Sequence, residues 1–138
     1  PPRPTTGAPS PATETALRRL VAQWSDACVR RDAAAIADLV TADAMVDNGK
    51  PVAGRDAVKA AYAKTFSGLA WLVQLAPNAV FEVDEAEGVG TGRVTVHETS
   101  QAKKGAAAVT LAVFHDRYQR VDGRWLFAER TRELIHQS

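Results

Sequence analysis

Four long runs in the second half of the chain limit what it can fold into. Residues 70–83, 89–99, 106–120 and 125–135 are strand-like, with period-two alternation clearest in the second. Only the turn-forming segments DEAEG, SQAKKG and VDGR separate them. Alternation at period two is the signature of a sheet with two unlike faces, and short turn linkers make it an antiparallel meander. Pro77 and Asn78 interrupt the first run, which predicts a bulge or an edge position there. The apolar run AAAVTLAVF suits a buried strand and is far shorter than the roughly 18 residues of a membrane span.

The first half is helical. Leu17, Leu20, Val21, Trp24, Ala27 and Cys28 recur at three- and four-residue spacing and predict a helix over residues 15–31. Asp32 suits the N-cap of a short second helix that turns Ile36, Leu39 and Val40 inward. AMVDNGKPVAG reads as a strand, a turn at Asn48-Gly49 and a short return strand. A third helix runs from Gly54-Arg55 to about Phe66, with Val58, Ala61, Tyr62, Thr65 and Phe66 on its apolar face. Helices first and a strand meander after them give an α+β fold. The sheet must curl to cover three helices, so the expected shape is a cone: a curved mixed or antiparallel sheet around three N-terminal helices. A cone of this kind leaves a hollow suited to a small molecule.

Length and charge narrow the function. The chain has 138 residues, which fits one domain, and a net charge of +1, which gives no bulk attraction for nucleic acid or anionic lipid. Five of the seven prolines lie within residues 1–11. Residues 1–14 are therefore a proline-rich arm, expected to rest against protein, and residues 15–138 are the domain. Cys28 is the only cysteine, so no internal disulfide or cysteine-rich zinc site can form. The three histidines lie on separate elements with no i, i+4 pair, and no metal or other cofactor is expected. GVGTGRV lies on a strand and not between strand and helix, and no G-x-S-x-G is present, so neither a nucleotide loop nor a serine nucleophile is expected. The compartment is read as cytoplasmic, or exported after loss of a signal, and not transmembrane.

Four segments resemble the nuclear transport factor 2-like superfamily, and within it the SnoaL-like group. They are WSDACVRRDAAAIADLVTADAMV, KPVAGRDAVKAAYAKTF, LVQLAPNAVFEV and the closing hairpin FHDRYQRVDGRWLFAER. The last is the most specific. The resemblance implies cofactor-free isomerases, dehydratases and cyclases of hydrophobic oxygenated molecules, alongside modules without chemistry. It also implies a homodimer built on the convex sheet face, with residues such as Arg93 and Thr95.

The same resemblance allows the catalytic positions to be tested. Dehydratase and dehydrochlorinase members are known for an Asp–His dyad. The His position is occupied here by Gln74 and the Asp position by Val29, with Asp32 one turn away. An amide takes no proton at neutral pH, so Gln74 is not a base, although it can donate and accept hydrogen bonds. Against the ketosteroid isomerase pattern, Trp24 falls near the Tyr donor and Asn48, with Asp47 beside it, near the Asp base. Asp47 is therefore the expected catalytic base, its alternative being a turn residue before Gly49. Arg130 matches a cavity arginine of the dehydrochlorinase, its alternative being an ion pair with Asp116 or Glu98. The expected pocket is lined by Trp24, Tyr62, Trp71 or Leu72, Gln74 and Arg130. Glu98 shares its face with Val94 and Val96 and is expected to point inward. His97 is expected in solvent, and His115 in the pocket or the core.

Overall fold

The computed structural model describes residues 6–138; the first five residues of the arm lie outside the described residues. Two helices open the domain: α1 (Pro11–Arg30) and α2 (Ala33–Ala37). Strands β1 (Val40–Asp47) and β2 (Pro51–Ala53) precede α3 (Arg55–Ser67). The meander is β3 (Leu69–Asp84), β4 (Val89–Ala102), β5 (Ala107–Val121) and β6 (Arg124–Gln137). All six strands form one sheet in the order β2-β1-β6-β5-β4-β3. Every pairing is antiparallel except β1 with β6, which is parallel. The sheet is mixed, curved and unclosed around the three helices, so the chain is an α+β cone.

The helix caps follow from residue chemistry. The Ser10 hydroxyl accepts from the Thr13 N–H at 3.2 Å, and Pro11 occupies the first helical turn. Proline is tolerated there because its missing N–H has no helical partner to lose. The helix therefore begins at Pro11, four residues before the alternation suggested. At its other end Arg31 takes the left-handed conformation (φ 53°) and closes the helix through its N–H. The Asp32 carboxylate caps α2 by accepting from Ala35 N–H at 3.0 Å. Helix α2 is short, and Val40 opens β1 instead of extending the helix. The stripe from Leu17 to Cys28 is buried as its spacing predicts.

Turn chemistry sets the sheet register. Asp122 (φ 51°) and Gly123 (φ 78°) make the two-residue β5–β6 hairpin, the connection an Asp-Gly pair favours. The register of β3 against β4 slips by one residue between Leu75 and Asn78, so Pro77 sits in a bulge on the sheet's edge strand. Strand β4 continues to Ala102, three residues beyond its expected end, because Ser100 and Gln101 still pair with both neighbours. Gly7 of the arm makes a small antiparallel bridge with Val83, with N–O distances of 3.0 and 2.9 Å.

The narrow end of the cone is filled. Trp24 packs edge-on against Tyr62 (5.4 Å) and Phe127 (5.1 Å), and Tyr118 packs against Phe81 and Phe127. Gly92 has ordinary backbone angles, yet a Cβ there would lie 2.6 Å from the Tyr118 hydroxyl and 2.9 Å from Phe81. Gly92 of GVGTGRV is thus a space for aromatic rings, and Gly90 one for the Val83 side chain and the Glu82 carbonyl.

Candidate functional site

At the wide end the helices and sheet do not meet, and a cavity of about 420 Å³ remains. Its apolar wall includes Val58 and Phe66 from α3, Leu72 from β3, Val96 from β4, and Ala112 and Phe114 from β5. Its polar wall includes Asn48, Lys50, Tyr62, Gln74, Glu98 and Arg132. Pairing across the sheet explains part of this grouping. Gln74 stands opposite Glu98, and Glu98 opposite Thr110, so one inward row crosses three strands.

Gln74 is buried and bonded on both sides. The Ser25 hydroxyl donates to its Oε1 at 3.0 Å, and its Nε2 donates to Glu98 Oε1 at 3.3 Å. The serine fixes which way the amide points, and the amide in turn holds the carboxyl. Burial raises the Glu98 carboxyl above the usual range, against the opposing pull of the Gln74 hydrogen bond and the Arg132 charge. Opposite lies Tyr62, whose hydroxyl accepts from Asn48 Nδ2 at 2.7 Å. Burial first, and the neighbouring Cys28 second, push the Tyr62 hydroxyl up, so it stays protonated and keeps its own proton to donate. The Cys28 thiol is likewise raised to about 12, chiefly by burial, and behaves as a small apolar wall group.

The residues singled out in the sequence divide. Tyr62 and Gln74 both line the cavity. Trp71 does not: it is 45% exposed on the outward side of β3, and Leu72 is the inward neighbour. Trp24 is fully buried beneath the cavity, and its indole N–H has no partner among the described residues. Asp47 lies outside the lining, and its carboxylate accepts from Gly49 N–H at 2.8 Å as a turn residue does. Arg130 is 1% exposed and is gripped by Asp116 through Nε (2.8 Å) and Nη2 (3.1 Å). Its guanidinium also sits 4.0 Å from the Phe114 ring centroid and 4.2 Å from that of Phe127. The inward-facing residues of β5 are even-numbered, so His115 faces out, exposed, with Nε2 2.7 Å from Glu133. None of the three histidines lines the cavity.

Glu98 is the acid of the cavity wall, in place of the expected Asp47. The alternation of Val94, Val96 and Glu98 predicts its inward direction, and Asp116, not Glu98, is the partner of Arg130. Arg132 was legible in the same way, two residues beyond Arg130 on one face of β6. Among the described residues no three His, Cys, Asp or Glu side chains gather as a metal site. No helix among them is long and apolar enough to cross a membrane.

Comparison with known proteins points to one family. The SnoaL-like domain family matches residues 10–131. Among solved structures, a provisionally named scytalone dehydratase from Novosphingobium aromaticivorans superposes with TM-score 0.85 at 18% identity, over 92% of this chain and 87% of that one. The hexachlorocyclohexane dehydrochlorinase LinA-type3 from Novosphingobium barchaimii gives TM-score 0.81 at 18% identity, over 92% and 89% of the two chains. Rv3472 from Mycobacterium tuberculosis, described as of unknown function, gives 0.81 at 21% identity, over 91% and 77%. Identities this low establish a shared fold. Among curated proteins none matches in sequence.

Proposed function

The chain belongs to the SnoaL-like domain family, and from that premise we propose that it is a cofactor-free isomerase or lyase acting on a hydrophobic, oxygenated small molecule. The observation that carries this reading is the Glu98 carboxyl, half-buried on the wall of an apolar cavity and bonded, among the described residues, only by the Gln74 amide. Burial brings such an acid toward the pH at which it can both take and return a proton. Glu98 removes a proton from carbon beside a carbonyl, and the Tyr62 hydroxyl donates to the oxygen on which charge gathers. Returning the proton at a second carbon gives isomerisation; losing a leaving group instead gives elimination or dehydration. We assign the proton transfer to Glu98 and not to Asp47, whose carboxylate is turned to its own turn. Trp24 and Arg130 support the pocket from below, through the Tyr62 and Phe114 rings.

A ligand-binding module without chemistry is the second reading, favoured by the closed Arg130–Asp116 pair and by an amide where the dyad would have its histidine. One experiment separates the two. A panel of apolar ketones is incubated with the protein in D2O, followed by NMR, with thermal shifts recorded on the same samples. The catalytic reading expects deuterium to enter beside the carbonyl, and that exchange to vanish in Glu98→Gln. Ligand-induced stabilisation without exchange supports the module. Neither stabilisation nor exchange with any member of the panel rejects both. For assembly we favour a homodimer through the outer sheet face, where Trp71, Val73 and Leu75 are exposed and Val80 is exposed opposite Arg93. Sedimentation equilibrium of Leu75→Lys against the parent tests it: an unchanged mass removes that face.

A further inference from the structure

We propose that the ligand of this cavity is an apolar molecule bearing a carboxylate, held at the β1–β2 turn by Lys50 and Arg132. The inference rests on the cavity being a ligand site, as argued above, and adds the chemical class of its occupant.

Two cationic side chains meet at this turn. Arg132 Nη2 donates to the carbonyl oxygen of Asn48 at 2.9 Å, which fixes the guanidinium against the turn and leaves its other N–H groups free of that bond. Asn48 Nδ2 donates to the Tyr62 hydroxyl at 2.7 Å, which ties the turn to α3 and leaves the phenol proton for the carbonyl oxygen. Lys50 closes the turn and lines the cavity. Among the described residues neither Lys50 nor Arg132 has a carboxylate partner within ion-pair distance, whereas Arg130, on the same strand as Arg132, is closed on Asp116. Among the described residues Glu98 is the only carboxyl in the cavity wall, so at least one of the two cations is left without an acid there. A guanidinium beside an ammonium suits the flat, two-oxygen face of a carboxylate. The rest of the wall offers Val58, Phe66, Leu72 and Val96 to an apolar body. A small anion alone would leave that surface unfilled.

Isothermal titration with octanoate and octan-1-ol tests this, since the two share a chain and differ in the head group. Acetate, which has the head group alone, is the control. Octanoate is expected to bind about tenfold more tightly than octan-1-ol, with acetate too weak to detect. The preference is expected to collapse in Arg132→Gln and to weaken in Lys50→Gln, an exposed position where folding is not at stake. In the parent protein, added salt is expected to weaken octanoate and leave octan-1-ol unchanged. Equal binding of the two probes, or a preference indifferent to salt and to both substitutions, overturns the carboxylate inference while the pocket stands. Failure of both probes to bind overturns the pocket reading along with it.

Discussion

The two ends of the cone are built from similar residues and treat them oppositely. At the narrow end an arginine, an aspartate and a tyrosine satisfy one another, and the Trp24 indole N–H alone is left without a partner among the described residues. Arg130 is held at both ends of the Asp116 carboxylate, and Tyr118 donates to the same carboxylate at 2.7 Å. At the wide end an arginine, a glutamate and a tyrosine stand around open space. Glu98 has one amide partner and Arg132 one backbone carbonyl. Buried polar groups are normally satisfied in full, because each one left over costs about 1–3 kcal/mol. A group held in place but left unsatisfied at one side is what a binding site requires. The difference between the ends, and not the presence of charge in the interior, marks the site.

The largest expected effect lies at the narrow end. Asp116→Ala strands a buried guanidinium and should cost about 3–5 kcal/mol in denaturant unfolding. A loss no larger than that of a surface substitution would mean that the two ends do not differ as described. Next comes Gly92→Ala. Its methyl would press into Tyr118 and Phe81, and an overpacking cost of about 1–3 kcal/mol is expected in the same assay.

The wide end should respond with smaller effects, some of opposite sign. The Glu98 pKa is raised on folding, so the folded protein holds this proton more tightly than the unfolded chain. Stability at this group is then fully present below the unfolded glutamate pKa and falls as pH rises toward the folded one. Glu98→Gln should therefore be at least as stable as the parent at neutral pH, with the difference closing in acid. A parent that outlasts the variant at neutral pH would show the carboxylate to be structural. Glu85 gives the opposite sign and the smallest effect. Its carboxylate accepts from Ser10 N–H and the Thr13 hydroxyl, which hold its pKa down. It stabilises the start of α1 above the unfolded pKa and loses that role as pH falls through the folded value. Glu85→Gln should flatten the acid limb of the thermal-stability profile.

The cone itself was largely legible because alternation, capping and turn residues report local backbone directly. The Asp-Gly hairpin, the bulge at Pro77 and the Asp32 cap were all readable in this way. What failed locally did so for local reasons. Pro11 reads as a break and is a helix start, and the run from Ser100 reads as a loop because it is polar and ends in Gly105, although its first three residues extend β4. The site was legible only by face. Alternation placed Gln74 and Glu98 inward, but nothing in the sequence says that Ser25, from a helix, reaches Gln74. Nor does it show that Asp116, and not a ligand, takes Arg130. Those are distances between elements, set by how the sheet curls.

The account depends most on the state of one side chain. A carbon-13 NMR titration of the Glu98 carboxyl, assigned by its loss in Glu98→Gln, tests that state directly. The account predicts a midpoint above that of an ordinary glutamate, which moves when a ligand fills the cavity. A midpoint in the ordinary range, unmoved by any ligand that binds, would contradict it.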